Sequence, residues 1–214
     1  MRRNAVLWAV IGIGLVAGRP IPERPTPGTT PHAGRAGPAH YRLTSDSRLD
    51  VVTGKGGLFG FAGHAHRIRA TGATGEIVLD SADLRTSRVE VRVPVAGLEV
   101  LTPPDTAEQR QVRKAMLTDV LHPALHPEIT CDAAVTALDS NRVTLAAALT
   151  LEGVTRTVPV AGTVRITPDS ILATASFTVR QTDFGIKPYS GGPLGTVKVA
   201  NQVTFELNII AVRE

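Results

Sequence analysis

From Arg142 to Ile166 the chain reads RVTLAAALTLEGVTRTVPVAGTVRI, two alternating runs about the pair Glu152-Gly153. Val143, Leu145, Ala147, Leu149 and Leu151 share one side of the first run; Thr144, Ala146, Ala148 and Thr150 share the other. Past the glycine, Val154, Val158, Val160, Val164 and Ile166 recur at even spacing, with Thr155, Thr157, Thr163 and Arg165 between them. Side chains alternate across a strand, so a period of two predicts strands with one buried face. A polar residue and a glycine between such runs predict a tight hairpin, because glycine takes positive φ without strain.

Most other segments repeat this pattern. Tyr41-Arg42-Leu43 predicts an edge strand that Arg48 to Thr53 continues. Ile77 and Leu79 share one face of a short strand over 76–80, followed by a loop to Ser87. Val89, Val91, Val93 and Val95 alternate with Arg88, Glu90 and Arg92; the charges mark the solvent side and the valines the inside. Further strands are expected over 128–138, over 171–180 with Phe177 and Val179 inward, and at the end, where Val203, Phe205, Leu207 and Ile209 face in. One stretch has a different period. Val112, Ala115, Met116 and Val120 fall at spacings of three and four, predicting a helix over about 103–118. Thr102 with Asp105, or Asp105 with Glu108, supplies its cap, and proline suits its first turn.

About eight strands, one inserted α-helix and no βαβ rhythm argue for an all-β fold, an antiparallel closed barrel. Such a barrel either fills its interior with side chains or holds one small ligand, and periodicity alone leaves both open. The residues expected to line the lumen are Ile77 and Leu79, Val89, Val91 and Val93, Leu145 and Leu149, Phe177 and Val179, and Val203 and Phe205.

Composition narrows the functional classes. The 214 residues carry a net charge of +4 and a pI near 9.7, with Lys and Arg dispersed, so the charge reads as a solvated surface rather than a nucleic-acid footprint. Aromatics are only 4%, too few for a base-stacking platform. Cys131 is the single cysteine, which excludes an intramolecular disulfide and reads as a small packed residue. The glycines of 54–60 lack the Lys-(Ser/Thr) ending of a phosphate loop, and Asp183-Phe184-Gly185 lacks its kinase partners. No Ser-His-Asp elbow, carboxylate pair or Cys-His arrangement is recognisable, so the expected class is not an enzyme.

The N-terminus has its own signals. Arg2 and Arg3 precede the apolar run AVLWAVIGIGLVAG, which ends in small residues, so 1–18 reads as a secretory signal or an uncleaved anchor. Residues 19–39 hold six prolines and several glycines and are expected to be a disordered linker. The folded domain is expected over 40–214, in a periplasmic or extracellular setting.

His64 and His66 sit two apart, on one side of a strand. Two imidazoles there could ligate zinc, copper or a haem iron, although a site needs further ligands and only distant His122, His126 and Asp119 offer them. The alternative is two polar residues at a barrel rim.

LTLEGVTRTVPV resembles the LTL-x-GVT-(K/R)-x-V hairpin of the YceI-like family. Tyr41 to Leu49, Gly97-Leu98-Glu99-Val100, Gln109 to Asp119, His126-Pro127-Glu128-Ile129 and Asp183-Phe184-Gly185-Ile186 resemble its other motifs. The likeness spans nearly all of 41–212. It departs at His64 and His66, where the family has an aromatic-rich loop, and in the helix, where Arg110 matches but Gln111 and Arg113 or Lys114 replace an Asp and a His. The resemblance implies an exported, lipocalin-like barrel that holds an amphiphilic lipid, a polyisoprenoid or isoprenoid quinone, with no other cofactor. His64, His66 and Arg110 become candidates for the headgroup. Some relatives are dimers, so a homodimer is one expected assembly. The competing readings are a metal- or haem-binding exported protein using His64 and His66, and a barrel packed solid.

Overall fold

At Glu152 and Gly153 the backbone takes φ of 47° and 73°, the left-handed pair that a two-residue hairpin turn requires. That turn joins β8 (Arg142–Leu151) to β9 (Val154–Ile166), paired from Leu151↔Val154 to Arg142↔Thr163. A second tight turn at Ser140, φ 53°, joins β7 (Glu128–Asp139) to β8. β10 (Ser170–Arg180) and β12 (Val197–Arg213) extend the meander; the two-residue β11 (Ser190–Gly191) pairs only with the start of β12. The computed structural model describes residues 37–55, 65–102, 104–191 and 197–214.

The N-terminal half supplies bent staves, each made of two strand segments. β1 (Ala39–Leu43) and β2 (Arg48–Lys55) both lie along β12, with Tyr41↔Arg213 and Leu49↔Leu207. β3 (His66–Ala70) and β4 (Thr74–Leu79) form the next stave, and β5 (Arg88–Pro94) and β6 (Leu98–Val100) the third. β5 then pairs with β7. Counted as staves, the strands form a closed ring of eight in which sequence neighbours are spatial neighbours. Tyr41–Leu43 therefore lie at no edge: β1 pairs with β4 on one side and β12 on the other. Closure gives the backbone of β1 two partners, which an edge strand lacks.

Local chemistry makes the bends. Between β1 and β2 the Ser47 hydroxyl donates to Ile210 O and accepts from Ile210 N, both at 3.0 Å, replacing ladder bonds. Between β5 and β6, Gly97 lies so close to the neighbouring stave that a Cβ there would stand 2.3 Å from Thr71 O. Thr71 N and Oγ1 both donate to Gly97 O. A bulge in β7, where the register shifts between Val135 and Ala137, brings both Val135 and Leu138 to the inner face.

Helix α1 (Thr106–Ala115) lies between β6 and β7. Asp105 is its cap, accepting from Ala107 N and Glu108 N at 2.8 Å. Thr102 is engaged elsewhere, its Oγ1 accepting from Arg67 N at 2.8 Å. The helix continues as a wider π turn, Met116–Val120, in which Leu121 N donates to Met116 O. Arg113 ties α1 to the barrel by donating to Leu98 O and Ala96 O at 2.9 and 2.7 Å. Beyond the π turn Glu152 accepts from His122 N at 3.0 Å and pairs with His122 Nδ1 at 2.8 Å. The hairpin turn thus fastens the far end of the helical segment.

A packed domain of this size has one contiguous apolar core. Here the fully buried apolar residues divide into separate wall clusters. Between them Leu145, Ala175, Phe177, Phe205, Leu207 and Ile209 point inward yet keep part of their surface uncovered. They line an internal cavity, so the interior is not packed solid.

Candidate functional site

The lumen has two chambers. The lower one has a volume of about 190 Å3 and runs to the loop carrying Leu84 and Ser87. The upper one, about 410 Å3, lies under α1 and the π turn. Val51, Leu98, Ile129 and Phe205 belong to both walls, so the chambers meet at a waist. A ~150 Å3 apolar cavity already stays dry and admits a benzene-sized guest. Either chamber alone is therefore large enough for hydrocarbon.

Period-two patterning builds the lower wall. Of the residues expected to face the lumen, Ile77, Leu79, Val89, Val91, Val93, Leu145, Leu149, Phe177 and Phe205 line it. Val203 lines the upper chamber with Phe205. Val179 differs: it is buried in the cluster of Leu149, Leu151, Phe184, Ile186 and Val203 and borders neither chamber. The chain turns there through Gln181–Phe184 and Gly185, at φ 74°, which folds Phe184 and Ile186 onto the strand ends. Phe184 is 1% exposed; Asp183 beside it is exposed, and the turn is closed by backbone bonds from Gly185 N and Ile186 N.

The upper chamber is mixed. Val112, Ala115, Met116 and Val120 form its apolar roof, the stripe read from the sequence. Thr53, His66, Glu108, Gln111, Gln181 and Tyr189 add polar groups. His66 Nδ1 lies 3.0 Å from Thr102 O, and its backbone N–H donates to Thr53 Oγ1 at 3.2 Å. Gln181 is buried, and its Nε2 donates to Ala200 O at 2.8 Å. Arg110 is exposed and lines neither chamber. On a helix it falls opposite Glu108, Gln111, Val112 and Ala115, which do face the barrel. His64 lies outside the described residues.

Among the described residues, the metal-ligating side chains that come together as a group of three are His40, Glu76 and Glu214. All are exposed at the β1–β4–β12 closure, where His40 pairs with Glu76 at 2.6 Å and Glu214 with Arg42. Among the described residues His66 has no such neighbours, and His122 and His126 belong to the hairpin contact.

Sequence reading missed two features. Cys131 lines the lower chamber, where burial pushes its thiol up to about 11. Alternation with Ile129 and Ala133 places it on the inner face, so the signal was present. Asp50, by contrast, is buried in β2 and borders the lower chamber, with its carboxylate turned to the neighbouring strand. It accepts from Arg69 Nε and Nη2 at 2.8 and 2.9 Å and from Arg67 Nη1 at 3.0 Å. Those two guanidiniums, Arg69 foremost, hold its carboxyl below the ordinary value against the opposing effect of burial. Only the β2–β3 register, Asp50↔Arg69, shows this pairing.

No functionally curated protein matches the chain. Among solved structures, BcnA of Burkholderia cenocepacia matches at 15% identity and a TM-score of 0.60, over 77% of this chain and 95% of that one. A polyisoprenoid binding domain from Saccharophagus degradans, implicated in plant cell wall breakdown, matches at 13% and 0.61, over 83% and 99%. The YceI protein of Campylobacter jejuni matches at 14% and 0.54, over 69% and 84%. At these identities the likeness is one of fold. In sequence, the profile of the YceI-like domain matches residues 42–211, most of the chain, and the protein belongs to the YceI-like family.

Proposed function

We propose that this protein is an exported, non-enzymatic carrier that holds the tail of an amphiphilic lipid, a polyisoprenoid or isoprenoid quinone, in its lumen. The observation that carries the reading is the adjacency of the two chambers, whose walls share Val51, Leu98, Ile129 and Phe205. An apolar lower chamber adjoins an upper one with polar groups in its wall. A long apolar chain with one polar end has the same division. Each buried CH2 contributes ~0.8 kcal/mol, so a five-carbon isoprene unit contributes roughly 4 kcal/mol before ordering costs. The polyisoprenoid-binding domain with this fold supports the choice of tail. The signal-like pattern of 1–18 supports export.

The test is a titration. The full chain is stripped of bound lipid by unfolding and extraction, refolded, and mixed with a dansyl-labelled farnesyl chain. The reading expects saturable one-to-one binding with a blue-shifted emission. Emission that stays at its aqueous wavelength throughout overturns it.

A further inference from the structure

The polar wall of the upper chamber is selective in a way that can be read from its hydrogen bonds. His66 Nδ1 faces the carbonyl of Thr102 at 3.0 Å. A carbonyl only accepts, so Nδ1 carries the hydrogen, and in the neutral ring Nε2 is left as an acceptor. No described group bonds Nε2, and the ring lies in the chamber wall. Gln181 repeats the pattern: its Nε2 donates to Ala200 O, leaving the carboxamide oxygen for a ligand. Among the described residues no Arg or Lys side chain lines this chamber. A phosphate or diphosphate brought here would be desolvated among acceptors, with no described Arg or Lys in the wall to receive it, which is costly.

We propose that the upper chamber selects an uncharged headgroup that donates a hydrogen bond, a hydroxyl at the end of the isoprenoid chain, with His66 Nε2 as its acceptor. This deepens the carrier reading and rests on it. A free alcohol donates its one O–H to His66 Nε2 and carries no charge under α1. A diphosphate of the same chain offers acceptors to acceptors.

The experiment displaces the dansyl-farnesyl probe from the full-length protein with farnesol, farnesyl diphosphate or squalene, a tail without a headgroup. On the wild type, farnesol displaces at a concentration on the order of tenfold below its diphosphate. His66→Leu removes the advantage of farnesol over the diphosphate and leaves squalene displacement unchanged, which also shows that the variant is folded. His66→Gln, whose carboxamide oxygen still accepts, retains part of the advantage. A diphosphate that displaces as well as farnesol overturns the inference, as does an H66L protein that keeps the full preference. Should H66L hold no probe, H66Q decides: a partial preference supports the role of His66, and an unchanged or absent one overturns it. If the probe never binds the wild type, the carrier reading itself has failed. If squalene displaces it but farnesol gains nothing over its diphosphate, only the headgroup inference has.

Discussion

Phe177 and Phe205 are cross-strand partners on β10 and β12, their rings stacked with centroids 4.9 Å apart and planes within 4°. Phe205 belongs to both chambers and Phe177 to the lower one, so this pair stands beside the waist of the lumen. Phe205→Ala should widen the passage. A fully packed Phe→Ala change costs ~3–5 kcal/mol. Phe205 already faces open space on one side, so the expected loss is smaller, about 1–2 kcal/mol, much of it the stacking term. Urea unfolding of the two proteins measures it, and a loss above the packed range would show that the lumen is filled.

Cys131 reports on the lower chamber. Its thiol titrates near 11 because burial disfavours the thiolate. Alkylation by iodoacetamide should be very slow at pH 8 and rise steeply toward pH 11. A bound isoprenoid should suppress it further, because the tail occupies the space beside the sulfur. Linkage follows the same shift. The neutral thiol's contribution to stability is fully present below the ordinary value of 9.0 and is lost as pH rises through about 11. In Cys131→Ala that part of the alkaline loss should vanish.

Asp50 works in the opposite direction. Its folded pKa is depressed by Arg69 and Arg67. Its contribution is therefore present above the ordinary value of 3.8 and is lost as pH falls through the folded value. Asp50→Asn keeps the shape but leaves Arg69 short of its anion, while Arg67 keeps Glu206 at 2.7 Å, with an expected cost of about 1–3 kcal/mol at pH 7. The gap from wild type, followed by urea unfolding, should close on acidification.

The helical roof offers a paired contrast. Met116 lines the upper chamber, whereas Arg110 points away from it. Met116→Trp should fill part of that chamber and weaken binding of the dansyl-farnesyl probe by about tenfold or more, a loss of roughly 1.4 kcal/mol. Arg110→Ala should leave it within about twofold. A strong effect at Arg110 with none at Met116 would place the ligand outside the barrel.

Much of this fold was legible because a barrel wall is written locally. Val89-Val91-Val93 and Val203-Phe205-Leu207 each state their inner face by alternation alone, and the Glu152-Gly153 turn states where the chain reverses. What alternation does not carry is which strands meet. The closure of β1 against β12 joins residues at opposite ends of the domain, so Tyr41 read as an edge. Bulges break the parity rule, as Leu138 shows by facing in three residues after Val135. Val179 keeps the rule and still borders neither chamber, because Phe184 and Ile186 fold over it from a turn. Arg110 was singled out by its match to a motif, whereas helix geometry gives the chamber to Glu108, Gln111 and Val112. The tautomer of His66 depends on Thr102, thirty-six residues away, and no local pattern reports it.

The central claim is that the lumen holds a lipid. Native mass spectrometry of the full chain as purified from its membrane-containing source, with organic extraction of the same sample, tests it most directly. The account predicts an adduct of one lipid per protein that leaves on extraction and fragments as an isoprenoid with an uncharged, hydroxyl-bearing end. A bare protein mass that also gains no adduct when farnesol or squalene is added would contradict it.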